Sequence, residues 1–152
     1  MQRHWCNMFV RVASDCPVEL GVIPVQKRQD KPSHVIQYEL LSEHPYRYTF
    51  EEQLFEVYIR HKGLLDTLDE EELAAARKEL LDRNHPCMRA SQLTKKFGWG
   101  FHFNEEGRIA LYGMETEQYG AFVEAGEASE LELQNAIRSS RIKQATIGKG
   151  KE

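Results

Sequence analysis

Between Arg89 and His102 the chain carries Arg89, Lys95 and Lys96 and no carboxylate, although the whole protein has a formal charge of −4. A serine at position 91 can cap a short helix ending at Gly98. Backbone N–H groups near Gln92 and Leu93 would then lie free beside the Arg89 guanidinium. Main-chain donors next to a guanidinium suit a phosphate or a carboxylate. His102 follows on a strand whose same face carries Gly98 and Gly100, and glycines leave room above a sheet. The spacing therefore predicts a site for a small anionic ligand built from Arg89, Ser91, Lys95 and His102. A purely structural account competes with it. Lys95 and Lys96 fall in the last helical turn, where the dipole favours cations, and glycines beside Trp99 also serve close packing.

Other chemistries can be tried on the same residues. His102 could act as a general base, since an imidazole titrates near working pH. Cys87 and His102 could form a thiolate–imidazole pair, because such pairs are assembled in space. Yet a cysteine beside Pro86 and Met88 also reads as a small buried apolar residue. Ser91 and Lys95 have the spacing Ser-x-x-x-Lys and not the Ser-x-x-Lys of the serine–lysine enzymes. His4-x-Cys6 and His85-x-Cys87 offer soft ligands without the two-residue spacer between cysteines that marks zinc sites, so no metal is expected. Phosphate-cradling glycine loops, zinc-protease helices and dinucleotide fingerprints are absent, and no cofactor is expected.

Composition bounds the partners. At 152 residues, with 29% charged side chains, the chain suits one domain of ordinary acidic character. Its net charge gives no reason to expect nucleic acid. No apolar run approaches the roughly 20 residues that span a bilayer, and the first residues lack the apolar core of a secretory signal. Three cysteines, Cys6, Cys16 and Cys87, are too few for a disulfide framework. A cytoplasmic protein with three thiols is the expectation. Residues 115–132 hold six glutamates and no basic side chain, whereas 138–152 carry Arg138, Arg141, Lys143, Lys149 and Lys151 against Glu152. An interaction module using the acidic region and the basic tail is therefore a third reading, beside ligand binding and catalysis.

The elements that position these residues follow from periodicity. Trp99, Phe101 and Phe103 alternate with Gly98, Gly100 and His102, so a strand puts rings on one face and leaves the other open. Asn104 to Gly107 is turn-rich, and Ile109 and Leu111 resume the alternation, which predicts a hairpin over 98–112. A further strand is expected at 7–13 and an exposed loop from Gln26 to Pro32. Helices are expected from Ser33, from Thr49 and from Asp69. The last two are marked by capping boxes with Glu52 and Glu72. Thr116 caps another helix closed by Gly126, and a helix fragment is expected to about Ser140. The predicted fold is α+β, a small antiparallel sheet of 7–13, 98–103 and 108–112. The helices from 33, 49 and 69 cover its aromatic face. Residues 1–137 form one domain, and 138–152 form a disordered tail.

The phrases Ile36-Gln-Tyr-Glu-Leu-Leu-Ser-Glu-His-Pro-Tyr46, Pro86-Cys-Met-Arg-Ala-Ser91, Leu93-Thr-Lys-Lys-Phe-Gly-Trp-Gly-Phe-His102 and Arg108-Ile-Ala-Leu-Tyr-Gly113 resemble a family of small bacterial and fungal proteins known only as a domain of unknown function. The likeness runs from about Asn7 to Val123 and leaves out the basic tail. It implies a shared fold and an intracellular setting and supplies no chemistry. The family pattern implies proline after Ser91, where this chain has Gln92, so the helix start rests on the serine cap alone.

Overall fold

The computed structural model describes residues 5–25, 31–83, 85 and 87–139. Its strands are β1 (Met8–Arg11), β2 (Trp99–Phe103), β3 (Ile109–Gly113) and β4 (Glu132–Asn135). Its helices are α1 (Ser33–Glu43), α2 (Phe50–His61), α3 (Glu70–Leu81), α4 (Gln92–Lys96) and α5 (Glu117–Glu127), with a 3₁₀ turn at Met88–Ala90 before α4. The fold is α+β, as the periodicity predicts. The sheet order is β3-β2-β1-β4.

The hairpin forms where alternation and turn chemistry agree. β2 and β3 pair antiparallel from Trp99 opposite Gly113 to Phe103 opposite Ile109. Asn104 Oδ1 accepts from the amides of Glu106 and Arg108, each at 2.9 Å, which closes the loop. Gly107 sits at φ +80°, where a Cβ would lie 2.9 Å from the Trp5 carbonyl oxygen. Glycine is the residue that fits there.

Two corrections concern the sheet. The region after α5, expected to be a helix fragment, holds β4, which runs parallel to β1 with Met8 opposite Glu132 and Arg11 opposite Asn135. The sheet is therefore mixed. A four-residue strand with one apolar side chain carries almost no periodic signal, and pairing with β1 across the chain decides its state. The second correction is that the face opposite the aromatic rings is not open. A Cβ on Gly100 would meet Phe9 Cζ at 2.6 Å and Tyr119 Cε2 at 2.9 Å. Phe9, Val12 and Tyr119 are buried there, with Tyr112, Phe122 and Leu133 packed against them.

The aromatic face is the main core. Phe101 and Phe103 are fully buried with Met8, Val10, Leu41, Phe50, Met88, Leu93 and Ile109. This face is covered by α1, the start of α2, the 3₁₀ turn and α4. Helix α3, expected over the sheet, instead packs on α2 through Phe55, Ile59 and Leu80.

Caps behave as the residue types require. Thr49 Oγ1 accepts from Glu52 N while Glu52 Oε1 accepts from Thr49 N at 3.0 Å. Asp69 and Glu72 repeat the exchange at 2.8 and 3.0 Å. Thr116 caps α5 by accepting from Tyr119 N at 3.2 Å. Helix α1 differs from expectation. Ser33 is its first residue, and Pro32 occupies the cap position without a side-chain hydrogen bond. The tail beyond 139 and the loop at 26–30 lie outside the described residues.

Candidate functional site

Ser91 stands at the start of α4, and its Oγ accepts from Leu93 N at 3.2 Å, so the serine caps this helix without a following proline. The hydroxyl proton is then free to point elsewhere. It donates to Gln37 Oε1 at 2.6 Å, 54 residues away on α1. Gln37 Nε2 donates to Gln53 Oε1 on α2 at 3.0 Å, and Gln53 Nε2 donates to the Phe50 carbonyl at 3.1 Å. Both ends dictate the direction of this chain, because an amide N–H can only donate to Ser91 and a carbonyl can only accept from Gln53. Gln53 is 2% exposed. A buried amide is costly unless paired, so the bonds are what allow glutamine at this position.

These three side chains line a cleft of about 530 Å³ between α1, α2, the end of α3 and the 3₁₀ turn. Leu54, Val57, Tyr58, Leu80 and Met88 give it apolar walls. His34, His61, Arg83, His85 and Cys87 also border it. His61 and Arg83 are exposed, and His85 Nε2 donates to the Leu80 carbonyl at 2.6 Å. Burial holds the His34 imidazole below its ordinary pKa, so it is neutral at pH 7. Volume, apolar walls and a few fixed polar groups match the usual form of a small-molecule site.

A second cluster lies on the far face of the sheet. His102 projects from β2 toward α5 and stacks on Phe122 with ring centroids 4.1 Å apart. Its Nδ1 is 2.8 Å from the Tyr46 hydroxyl, which is also 2.8 Å from the Tyr112 hydroxyl. Burial lowers the His102 pKa. Burial, and then the bond to Tyr112, raise that of Tyr46. His102 and Tyr46 are therefore uncharged at pH 7. Tyr46 sits at φ +60°, a left-handed conformation that costs a bulky residue about 1–3 kcal/mol.

A family model matches residues 1–142. The chain belongs to DUF6157, a family of unknown function. The family resemblance carried by the sequence phrases is upheld, over a span longer than those phrases. No curated protein and no solved structure matches the chain.

In this DUF6157 chain the four residues expected to share one hollow are separated. Ser91 lines the cleft. Arg89 turns away, its Nε donating to the Asn135 carbonyl at 2.6 Å while its own carbonyl accepts from Ile137 N, which ties the end of β4 to the 3₁₀ turn. Lys95 is half-buried on α4 and is not among the cleft residues. His102 is on the opposite face, because successive side chains of β2 point to opposite sides. The same division parts Cys87, which packs on the aromatic-face core, from His102.

The remaining sequence candidates do not assemble either. His4 lies outside the described residues, and among those described no three His, Cys, Asp or Glu side chains are placed to hold a metal ion. The acidic stretch forms α5 and enters β4, while the basic tail beyond residue 139, the other half of the expected interaction module, lies outside the described residues. Among the described residues no helix is long and apolar enough to cross a membrane.

Gln37, Gln53, Tyr46 and Tyr112 were not singled out from sequence. One signal was present. Gln53 stands three residues after Phe50 and four before Val57, a polar residue on an apolar helix stripe. The tyrosines gave none, since Tyr112 in a hairpin reads as core and Tyr46 lies in the short link between α1 and α2.

Proposed function

We propose that the protein is a cytoplasmic binding domain for a small ligand with an apolar body and a carboxylate or phosphate group, held in the cleft between α1, α2 and the 3₁₀ turn. The observation that carries this reading is the hydrogen-bonded chain Ser91–Gln37–Gln53 set into apolar walls. Each amide has two protons and two lone pairs, and Gln53 uses one of each on its neighbours. The unused pair can meet a ligand without reorganising the floor. Arg83 and His61 at the border are where a negative group would be attracted, a role the sequence suggested for Arg89, Lys95 and His102. Three free cysteines agree with a reducing compartment.

Thermal unfolding with octanoate, benzoate and phenyl phosphate tests the reading. A ligand at a hundred times its dissociation constant adds about 2.7 kcal/mol, and at this chain length each kcal/mol moves Tm by about 2–4 °C. At least one probe should raise Tm, and Val57→Trp, which fills the cleft, should remove the effect. Absence of any shift with all three, or a shift that survives Val57→Trp, contradicts the proposal.

A further inference from the structure

We infer that His102, oriented by Tyr46 and Tyr112, is a second and chemically active site: a general base and acid for the hydrolysis of small uncharged esters. It is independent of the cleft and lies on the other face of the sheet.

Four observations converge on it. Tyr46 holds a left-handed backbone conformation that asparagine or glycine would adopt more easily. A tyrosine there needs a side-chain reason, and its hydroxyl supplies one by bonding both His102 Nδ1 and Tyr112 at 2.8 Å. Phe122 stacks on the imidazole and fixes the ring plane. In register, His102 lies between Phe9 on β1 and Ala110 on β3, so neither cross-strand neighbour is charged. Finally, Nε2 makes no hydrogen bond among the described residues and is not among the buried unpaired polar atoms, so it reaches solvent.

The hydroxyl of Tyr46 has one proton and two partners, which gives the chain two settings. If Tyr46 donates to Tyr112, it accepts from Nδ1–H, and Nε2 turns its lone pair to solvent. If Tyr46 donates to Nδ1, Nε2 carries the proton. The two settings differ by rotation of the Tyr46 hydroxyl and by loss of the ring proton at Nδ1 with gain of one at Nε2 from solvent, and only the first leaves Nε2 a base. A base that takes a proton on Nε2 in that setting becomes an imidazolium, which can return the proton as an acid. The cluster carries no formal charge, so it suits a neutral acyl compound and not a phosphate ester.

In the first setting Nε2 takes a proton from a water as the water oxygen bonds to the ester carbonyl carbon. The imidazolium keeps Nδ1–H on the Tyr46 oxygen. The proton on Nε2 then passes to the alkoxy oxygen as its bond to the acyl carbon breaks, releasing acid and alcohol and leaving neutral imidazole. One water is consumed, and no electron acceptor is required. His102 is the catalytic residue, and Tyr46 and Tyr112 are positioning residues.

Hydrolysis of p-nitrophenyl acetate by the full chain tests this. The protein should exceed free imidazole at equal concentration by at least tenfold, and His102→Gln should lose that excess. Tyr46→Phe and Tyr112→Phe should lower kcat severalfold with KM unchanged, a split that a merely structural role would not produce. Should His102→Gln fail to fold, diethyl pyrocarbonate on the native protein replaces it. Carbethoxylation of His102, located by peptide mass spectrometry, should abolish esterolysis, and hydroxylamine should restore it. A rate no higher than free imidazole overturns the assignment, as does full activity in folded His102→Gln or in protein carbethoxylated at His102.

Discussion

The two faces of one four-stranded sheet hold polar groups by opposite means. On the cleft side, neutral amides from α1 and α2 are joined end to end with the Ser91 hydroxyl. On the α5 side, titratable rings are stacked and hydrogen-bonded, and burial lowers the pKa of His102 and raises that of Tyr46. Strand β2 feeds both, sending Phe101 and Phe103 one way and Gly100 and His102 the other. The difference teaches that nearness along the chain is a poor guide to a shared site. Arg89, Ser91 and His102 are close in sequence, yet a pleated sheet stands between the last of them and Ser91.

Substitutions can break this division from either side. The largest effect is expected for Phe101→Ala, because the ring is fully buried in the aromatic-face core. Urea unfolding should show a loss of about 3–5 kcal/mol. Gly100→Ala should cost up to about 3 kcal/mol, since its Cβ meets ring carbons of Phe9 and Tyr119 below 3.0 Å. The damage should be confined to the α5 side, so NMR signals of His102 should move while those of Gln37 and Gln53 amides stay. A change at the cleft amides instead would show that the faces are coupled.

Gln53→Leu makes the reverse cut. It removes the Gln53 partner of the Phe50 carbonyl and leaves Gln37 Nε2 only its weak contact with Met88 Sδ, at a cost of about 1–2 kcal/mol by urea unfolding. His102 signals should be unchanged. The smallest effect is pH dependence. His102 and His34 have folded pKa values lowered by burial, so the unfolded chain binds more protons. Their contribution is present above pH 6.5, the ordinary histidine value, and is lost as pH falls through the lower folded values. Urea midpoints should fall on acidification below pH 6.5. His102→Gln should flatten one part of that fall and His34→Gln another. A midpoint that rises on acidification would contradict both assignments.

What could be read from sequence was what neighbours decide. The hairpin, the Asn104–Gly107 turn and the caps at Thr49, Asp69, Ser91 and Thr116 each depend on residues within a few positions, and each is found where expected. Strand β4 was hidden because its pairing partner is more than a hundred residues away. The same reason hid the second layer. Tyr46 reaches His102 across 56 residues and Ser91 reaches Gln37 across 54. No periodicity within a helix or strand reports such a bond. His102 was legible as an imidazole on the glycine face of β2 and Ser91 as a cap. Which face each would serve was not legible, because it depends on how β2 is sandwiched between α1 and α5.

Backbone amide NMR during titration with octanoate, benzoate or phenyl phosphate tests the central claim most directly. The cleft account predicts perturbations that saturate and cluster at residues 33–37, 50–61 and 87–92, with the Gln37 and Gln53 side-chain amides among the most affected. Perturbations centred on His102 and α5, or none at millimolar concentrations of all three, would contradict it.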